Sequence, residues 1–335
     1  MQIPRVPNPP FFIPLSLDPP ENLPYRRAMA PLFGPVAVKA MEPGLREWAG
    51  RIIDEALAKG SVDFMADVAK VAFTGSTVTG RKVMQSAAGS MKRVTLELGG
   101  NDAAIVLDDV DPKAIAGRVF EGAMTNAGQI CVAIKRVYVP AVLYDEFCDE
   151  LARLADAAVV DDGTRQGVQV GPVQNRTQFE KVKALLEDAR RQGRIVAGGQ
   201  PLDRSGYFIP PTIVCDLPDS ARLVREEQFG PVLPVLRYDD IEDVIVRVND
   251  SEFGLAGTVW GLDFDRALDI AMRINSGTVW VNQHLAIDPT LPFRGAKQSG
   301  FGGELGQDGL HEYTQPHIVN ASRQLTEDER RSRAS

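Results

Sequence analysis

From residue 70 onward the chain alternates short β-branched runs with longer amphipathic segments, and this rhythm limits the possible folds more than any other feature. The strand-like "KVAFT" leads through a glycine turn into the helix-like "TVTGRKVMQSAAG". "RVTLELGG" and "AAIVLDD" read as short buried strands, residues 112–127 as a helix and "KRVYVP" as a further strand. Two helices follow, "YDEFCDELARLADAA" and "RTQFEKVKALLEDARRQG", then the strands "TIVCDL" and "PVLPVLRY", the helix "DFDRALDIAMRINSG" and the strand "GTVWVN". Strands interleaved with helices predict an α/β fold with a largely parallel sheet, because a parallel neighbour is reached only through a long crossover.

The front of the chain has a different character. Residues 1–24 are proline-rich and are expected to be extended. In "EPGLREWAGRIIDEALAKG", Leu45, Trp48, Ile52 and Ala56 share one helical face, with Pro43 suited to the first turn and Gly60 to the end. At 335 residues the chain has room for about two domains. A net charge of −8, with basic residues scattered, argues against a nucleic-acid partner. No uninterrupted apolar window of about 18 residues predicts a membrane span, and prolines break any signal-peptide core at the start. The three cysteines, Cys131, Cys148 and Cys215, are odd in number and far apart, which fits a reducing cytoplasm without a disulfide framework. The histidines His284, His311 and His317 make no metal-ligand spacing, so no metal site is expected. There is no internal repeat, and the tail "QLTEDERRSRAS" is expected to fray.

Four places could carry chemistry. A free cysteine usually just packs, and Cys148, in a helix, and Cys215, in a strand, are read that way. Cys131, in "AGQICVAIKR", instead follows a glycine at a helix-to-strand junction, where backbone amides could hold an oxyanion and favour a thiolate. Glu97 stands in the apolar run "TLELGG", where burial would raise its pKa toward that of a general base, although a solvent-facing glutamate fits an alternating strand equally well. Gly99 and Gly100 let another group approach the backbone closely. Gly75 and Ser76, in "FTGSTVTG", open a helix whose N-terminus could bind a phosphate or simply be capped by the serine. Glu226 and Glu227 precede "QFGPV", which alone reads as a surface turn.

Taken together and in order, "FTGSTVTG", "LELGGN", "NAGQICVAIKR", "EEQFGPV", "GTVWVN" and "PFRGAKQSGFGGELG" resemble the successive signatures of the aldehyde dehydrogenase family, from about Lys70 to about Asn320. Glu97 precedes Cys131 by 34 residues, as that family's base and nucleophile do. The resemblance implies oxidation of a small-molecule aldehyde to a carboxylic acid, with NAD or NADP as cofactor, through a thiohemiacetal and a thioester on Cys131. It makes Glu97 the base that activates water. It puts Gly75 and Ser76 near the cofactor phosphates, Gly99 beside the cofactor, Gln178 and Lys181 near a ribose, and Glu227 and Phe229 at the nicotinamide ribose and ring. Asn282 and Phe293 would line the cleft, and Arg294 stands where the family commonly has glycine.

The family's long part before "FTGST" is expected to be missing here, and with it half of the cofactor-binding sheet and an oxyanion-holding asparagine. Residues 1–69 resemble an N-terminal fragment of the cytochrome haem-thiolate monooxygenases in "DPPE", "YRR" and the prolines after them. No glycine-rich loop with a haem-ligating cysteine follows, so no haem is expected. The resulting division is 1–69, a helical segment; 70–97, a remnant of the dinucleotide-binding domain; 98–300, the catalytic domain; and 301–335, a C-terminal strand and tail. That strand, in "HEYTQPHIVNAS", would join subunits into a homo-oligomer. Two other readings stand beside the enzyme: an inactive remnant of a dehydrogenase, and a thiol esterase that uses Cys131 and Glu97 without cofactor.

Overall fold

The computed structural model describes residues 70–314 and 318–321. The proline-rich front, the helix expected before Gly60, the monooxygenase-like segment and the charged tail lie outside the described residues.

The elements alternate as the sequence rhythm requires. In chain order they are β1 (Lys70–Thr74), α1 (Thr77–Ala88), β2 (Arg93–Glu97), β3 (Asp102–Val106), α2 (Pro112–Met124), β4 (Ile134–Pro140), α3 (Tyr144–Ala157), α4 (Arg176–Gln192), β5 (Arg194–Ala197) and β6 (Thr212–Cys215). After these come α5 (Arg222–Arg225), β7 (Val232–Tyr238), α6 (Ile241–Asn249), β8 (Phe253–Gly254), β9 (Ala256–Trp260), α7 (Phe264–Met272), β10 (Thr278–Val281), β11 (Ala296–Lys297), β12 (Gly300–Phe301) and α8 (Gly306–His311). Local chemistry sets several helix starts. Asp111 caps α2, with Pro112 at its first position, and Asn175, Asp240 and Asp263 cap α4, α6 and α7.

The main sheet has seven strands in the order β10-β9-β3-β4-β7-β6-β5, and every pairing is parallel except β5 with β6. Its central strands are buried along their whole length, as β3 and β4 show, because both faces are covered. Ile105, Tyr138, Leu185 and Leu236 build one apolar layer, and Val106, Val137, Phe147 and Leu151 build the other.

A smaller sheet of order β1-β2-β12 holds the residues expected to be the cofactor-domain remnant. Here β1 and β2 run parallel, and β12 returns antiparallel with Gly300 opposite Glu97. The boundary expected at residue 300 therefore falls inside a strand of the smaller sheet.

Three expectations need adjustment. The helix expected over 112–127 ends at Met124, since Asn126 and Ala127 take φ of 53° and 56°, which no α-helix can include. Helix α6 and strand β9, which the reading of the sequence did not mark out, are both present. In "HEYTQPHIVNAS", His311 closes α8, residues 312–313 turn, 314 and 318–321 form no strand, and 315–317 and 322 lie outside the described residues.

Candidate active site

Two chain reversals bring Cys131 and Glu97 together. The first follows α2, where Asn126, Ala127 and Gly128 take φ of 53°, 56° and 69° in succession. Left-handed backbone of this length is costly outside glycine, and side chains hold it in place. Thr125 Oγ1 donates to Glu121 O (2.6 Å) and Asn126 Nδ2 to Gln129 O (3.1 Å). Gln129 anchors the turn to the loop before α4, accepting from Gln174 N (2.8 Å) and donating to Pro172 O (3.3 Å). Cys131 then sits half-buried just before β4, in an apolar cluster with Val132, Leu255, Trp280 and Phe293.

The second reversal follows β2. Glu97 is its last residue, with its carbonyl accepting from Gly75 N (3.0 Å). Its side chain is only 7% exposed and its Oε1 has no hydrogen-bond partner. Burial first, and Glu304 second, push the carboxyl pKa up to about 7. The Cys131 thiol is pushed up to about 11, chiefly by burial; Asp102 and Glu97 add to this, while Lys135 and the Val132 amide pull it down. The carboxylate and the sulfur therefore feel each other's charge.

Glu227 approaches from a third direction. Its Oε1 accepts from Gly100 N (3.0 Å). A side chain at Gly99 would strike the same carboxylate, so the glycine expected to permit a close approach does so for Glu227. Lys181 Nζ donates to Glu227 O (2.7 Å), and Gln178 Nε2 donates to Gln228 O (2.6 Å) and Phe229 O (3.0 Å). These two side chains spend their polar ends holding the 227–229 loop. Phe229, at φ 47°, turns its ring toward Lys135 Nζ, 5.7 Å from the ring centre. Glu226 faces outward in an ion pair with Arg222 (2.7 Å).

Ser76 caps α1 by accepting from Thr79 N (3.2 Å), and the turn is exposed. Phe293 shares the apolar cluster of Cys131, with its backbone paired to Glu304. Asn282, expected to line the cleft, is held by its amide at the end of β10. Its amide is used on both backbone groups of Gly261, at 2.9 and 2.7 Å, so it joins the ends of β9 and β10. Arg294 reaches Asp308 at 3.1 Å.

Among the buried ionisable residues that escaped the reading of the sequence, Lys135 and Asp102 act on Cys131. Lys135 Nζ donates to Ile130 O (2.5 Å), fixing the residue before Cys131. Burial lowers its pKa, and Glu227 and Asp102 act against that fall. Asp102 accepts from Ala256 N (3.1 Å), and burial pushes it up to about 7. Two adjacent cations, Lys135 and Arg136, inside the apolar run "CVAIKRVYV" were the available signal. Cys148 and Cys215, read as separate packing residues, are in contact, with Sγ atoms 2.9 Å apart. Among the described residues no group of three or more His, Cys, Asp or Glu could hold a metal, and no helix is long and apolar enough to cross a membrane.

The fold and site define a class: an α/β protein with a half-buried free cysteine, a buried carboxylate close to it and a second carboxylate held over a glycine pair. The model of the aldehyde dehydrogenase family matches residues 62–319, starting ahead of Lys70. A mitochondrial aldehyde dehydrogenase of Leishmania tarentolae is 42% identical over 262 residues, covering 77% of this chain and 53% of the relative. The NAD+ complex of an aldehyde dehydrogenase from Bacillus cereus is 39% identical with a TM-score of 0.73, covering 75% of this chain and 51% of that one. An NADP-dependent enzyme of E. coli is 37% identical with a TM-score of 0.72, covering 74% and 52%. The chain belongs to the aldehyde dehydrogenase family, and it spans about half the length of the relatives it matches.

Proposed function

We propose that the chain carries the acyl-forming and acyl-releasing part of an NAD- or NADP-linked aldehyde dehydrogenase. The observation that carries this reading is that the buried Glu97 carboxyl, whose Oε1 has no hydrogen-bond partner and whose pKa of about 7 suits a base at neutral pH, lies close enough to Cys131 to act on its charge. The Cys131 thiolate attacks the aldehyde carbon, giving a thiohemiacetal. Burial holds the Cys131 thiol up at about 11, Lys135 and the Val132 amide act against that rise, and the thiolate forms as Glu97 accepts the thiol proton, which passes on to solvent before hydrolysis. A nicotinamide cofactor held by Glu227, Phe229 and the first turn of α1 would supply the hydride acceptor for the substrate carbon. The carbon is then held on Cys131 as a thioester. Glu97 takes a proton from water, the resulting hydroxide attacks the acyl carbon, and the C–S bond breaks to release the acid.

The residues present fit such a cofactor. Glu227 offers an anchored carboxylate to ribose hydroxyls, Phe229 a ring face, and the exposed first turn of α1, with Gly75 and Ser76, a phosphate site. Gln178 and Lys181 would act by holding the 227–229 loop. The apolar neighbours of Cys131, Phe293 among them, favour an apolar aldehyde tail. The same reading carries a small-molecule substrate rather than nucleic acid, a cytoplasmic setting, and assembly of copies through the segment after α8.

The test is nicotinamide reduction by the purified chain with aliphatic and aromatic aldehydes, using NAD and NADP, beside a Cys131→Ser variant. Reduction that the variant loses supports the reading. Ester cleavage dependent on Cys131 without any reduction would replace it with a thiol esterase. Neither activity from folded protein would leave a dehydrogenase-derived remnant.

A further inference from the structure

Cys148 lies on α3 and Cys215 ends β6, 67 positions later. Both are buried, at 2% and 0% exposure, yet each meets the other sulfur rather than only aliphatic neighbours. Tyr144, one turn before Cys148, fixes the approach. Its hydroxyl accepts from Asp216 N (2.9 Å) and donates to Val235 O (3.0 Å), locking the helix onto β6 and β7. Asp216 is paired with Arg194 at 3.0 Å, on the strand facing Cys215. Closing the sulfur pair from 2.9 Å to the ~2.05 Å of a disulfide is a small movement.

We propose that Cys148 and Cys215 form a redox site, oxidised by a peroxide to an intramolecular disulfide that ties α3 to β6 and reduced again by a dithiol. The Cys215 thiolate attacks one peroxide oxygen; the O–O bond breaks, leaving a sulfenic acid and a hydroxide that is protonated to water. The Cys148 sulfur then attacks the sulfenic sulfur. The S–O bond breaks, the S–S bond forms, and the Cys148 proton leaves with the hydroxyl as a second water. Two thiols are oxidised and one peroxide is reduced. Cys215 is taken as the first to react because Arg194, on the strand opposite it, is a cation that favours a thiolate there. Peroxide would reach the pair by local opening of β5, a four-residue edge strand that pairs only with β6 among the described residues.

The experiment uses the full chain and a Cys131→Ser variant, each exposed to hydrogen peroxide, unfolded in N-ethylmaleimide and mapped by mass spectrometry without reduction. The expected result in both proteins is one linked peptide pair holding Cys148 and Cys215. In the variant both remaining thiols escape the label together, the intact mass falls by two hydrogens, and dithiothreitol restores both thiols. Labelled Cys148 and Cys215, single oxygen additions without a link, or links found only through Cys131 would each overturn the proposal. None of these readings depends on dehydrogenase activity.

Discussion

Glu97 shows how position alone changes the chemistry of a side chain. On a solvent-facing strand it would ionise near its ordinary pKa of 4.5, but burial and Glu304 bring it to about 7. A buried carboxyl with a raised pKa binds its proton more tightly folded than unfolded, so it favours the folded state below pH 4.5, and that contribution is lost as pH rises through about 7. Glu97→Gln should therefore lessen the fall in the urea midpoint across this window. In the proposed reaction, turnover of the native chain should rise with pH around 7 as the carboxylate is freed. The same variant should lose this limb and about 10²–10⁴-fold in rate, which steady-state kinetics across pH would check. Glu97 was visible in the sequence as a charge inside an apolar run. Its coupling to Glu304 was not, because that neighbour is supplied by a segment far along the chain.

At the scale of elements, the turn before Cys131 carries the site. Gly128 has φ of 69°, and a Cβ there would strike the Gly230 carbonyl that leads into β7. Gly128→Ala should cost about 2–4 kcal/mol of stability, read as a lower chemical-denaturation midpoint. Activity should fall further than unfolding accounts for, because the strain is released by moving Cys131. The glycine before the cysteine drew attention in the sequence. Three left-handed residues in a row could not be anticipated, since they depend on Gln129 reaching the loop at Pro172 and Gln174.

Over the whole molecule, a late segment stitches the smaller sheet to the rest. Lys70 Nζ meets Glu312 Oε2 at 2.7 Å and lies 4.5 Å from the Tyr313 ring centre, while Arg93 donates to the carbonyls of Glu312 and Thr314. The Lys70 side chain is nearly buried, so the pair is poorly screened by water. Lys70→Ala should cost about 1–3 kcal/mol. It should lower the thermal midpoint and speed hydrogen exchange at residues 311–314, while exchange in the main sheet remains slow.

What the sequence determined by itself was whatever depends on neighbours along the chain. The period of its apolar residues set strands and helices, Asp111, Asn175 and Asp263 set helix starts, and the ordered motifs around Glu97 and Cys131 set the family. Only the tertiary structure decided what depends on partners far apart in sequence. It brought Glu304 toward Glu97, joined Cys148 to Cys215, turned Asn282 onto Gly261, and inserted Gly300–Phe301 beside β2. The physical reason is range: propensity and capping act within a turn or two of chain, whereas burial, charge coupling and strand pairing require the folded sheet to assemble their partners.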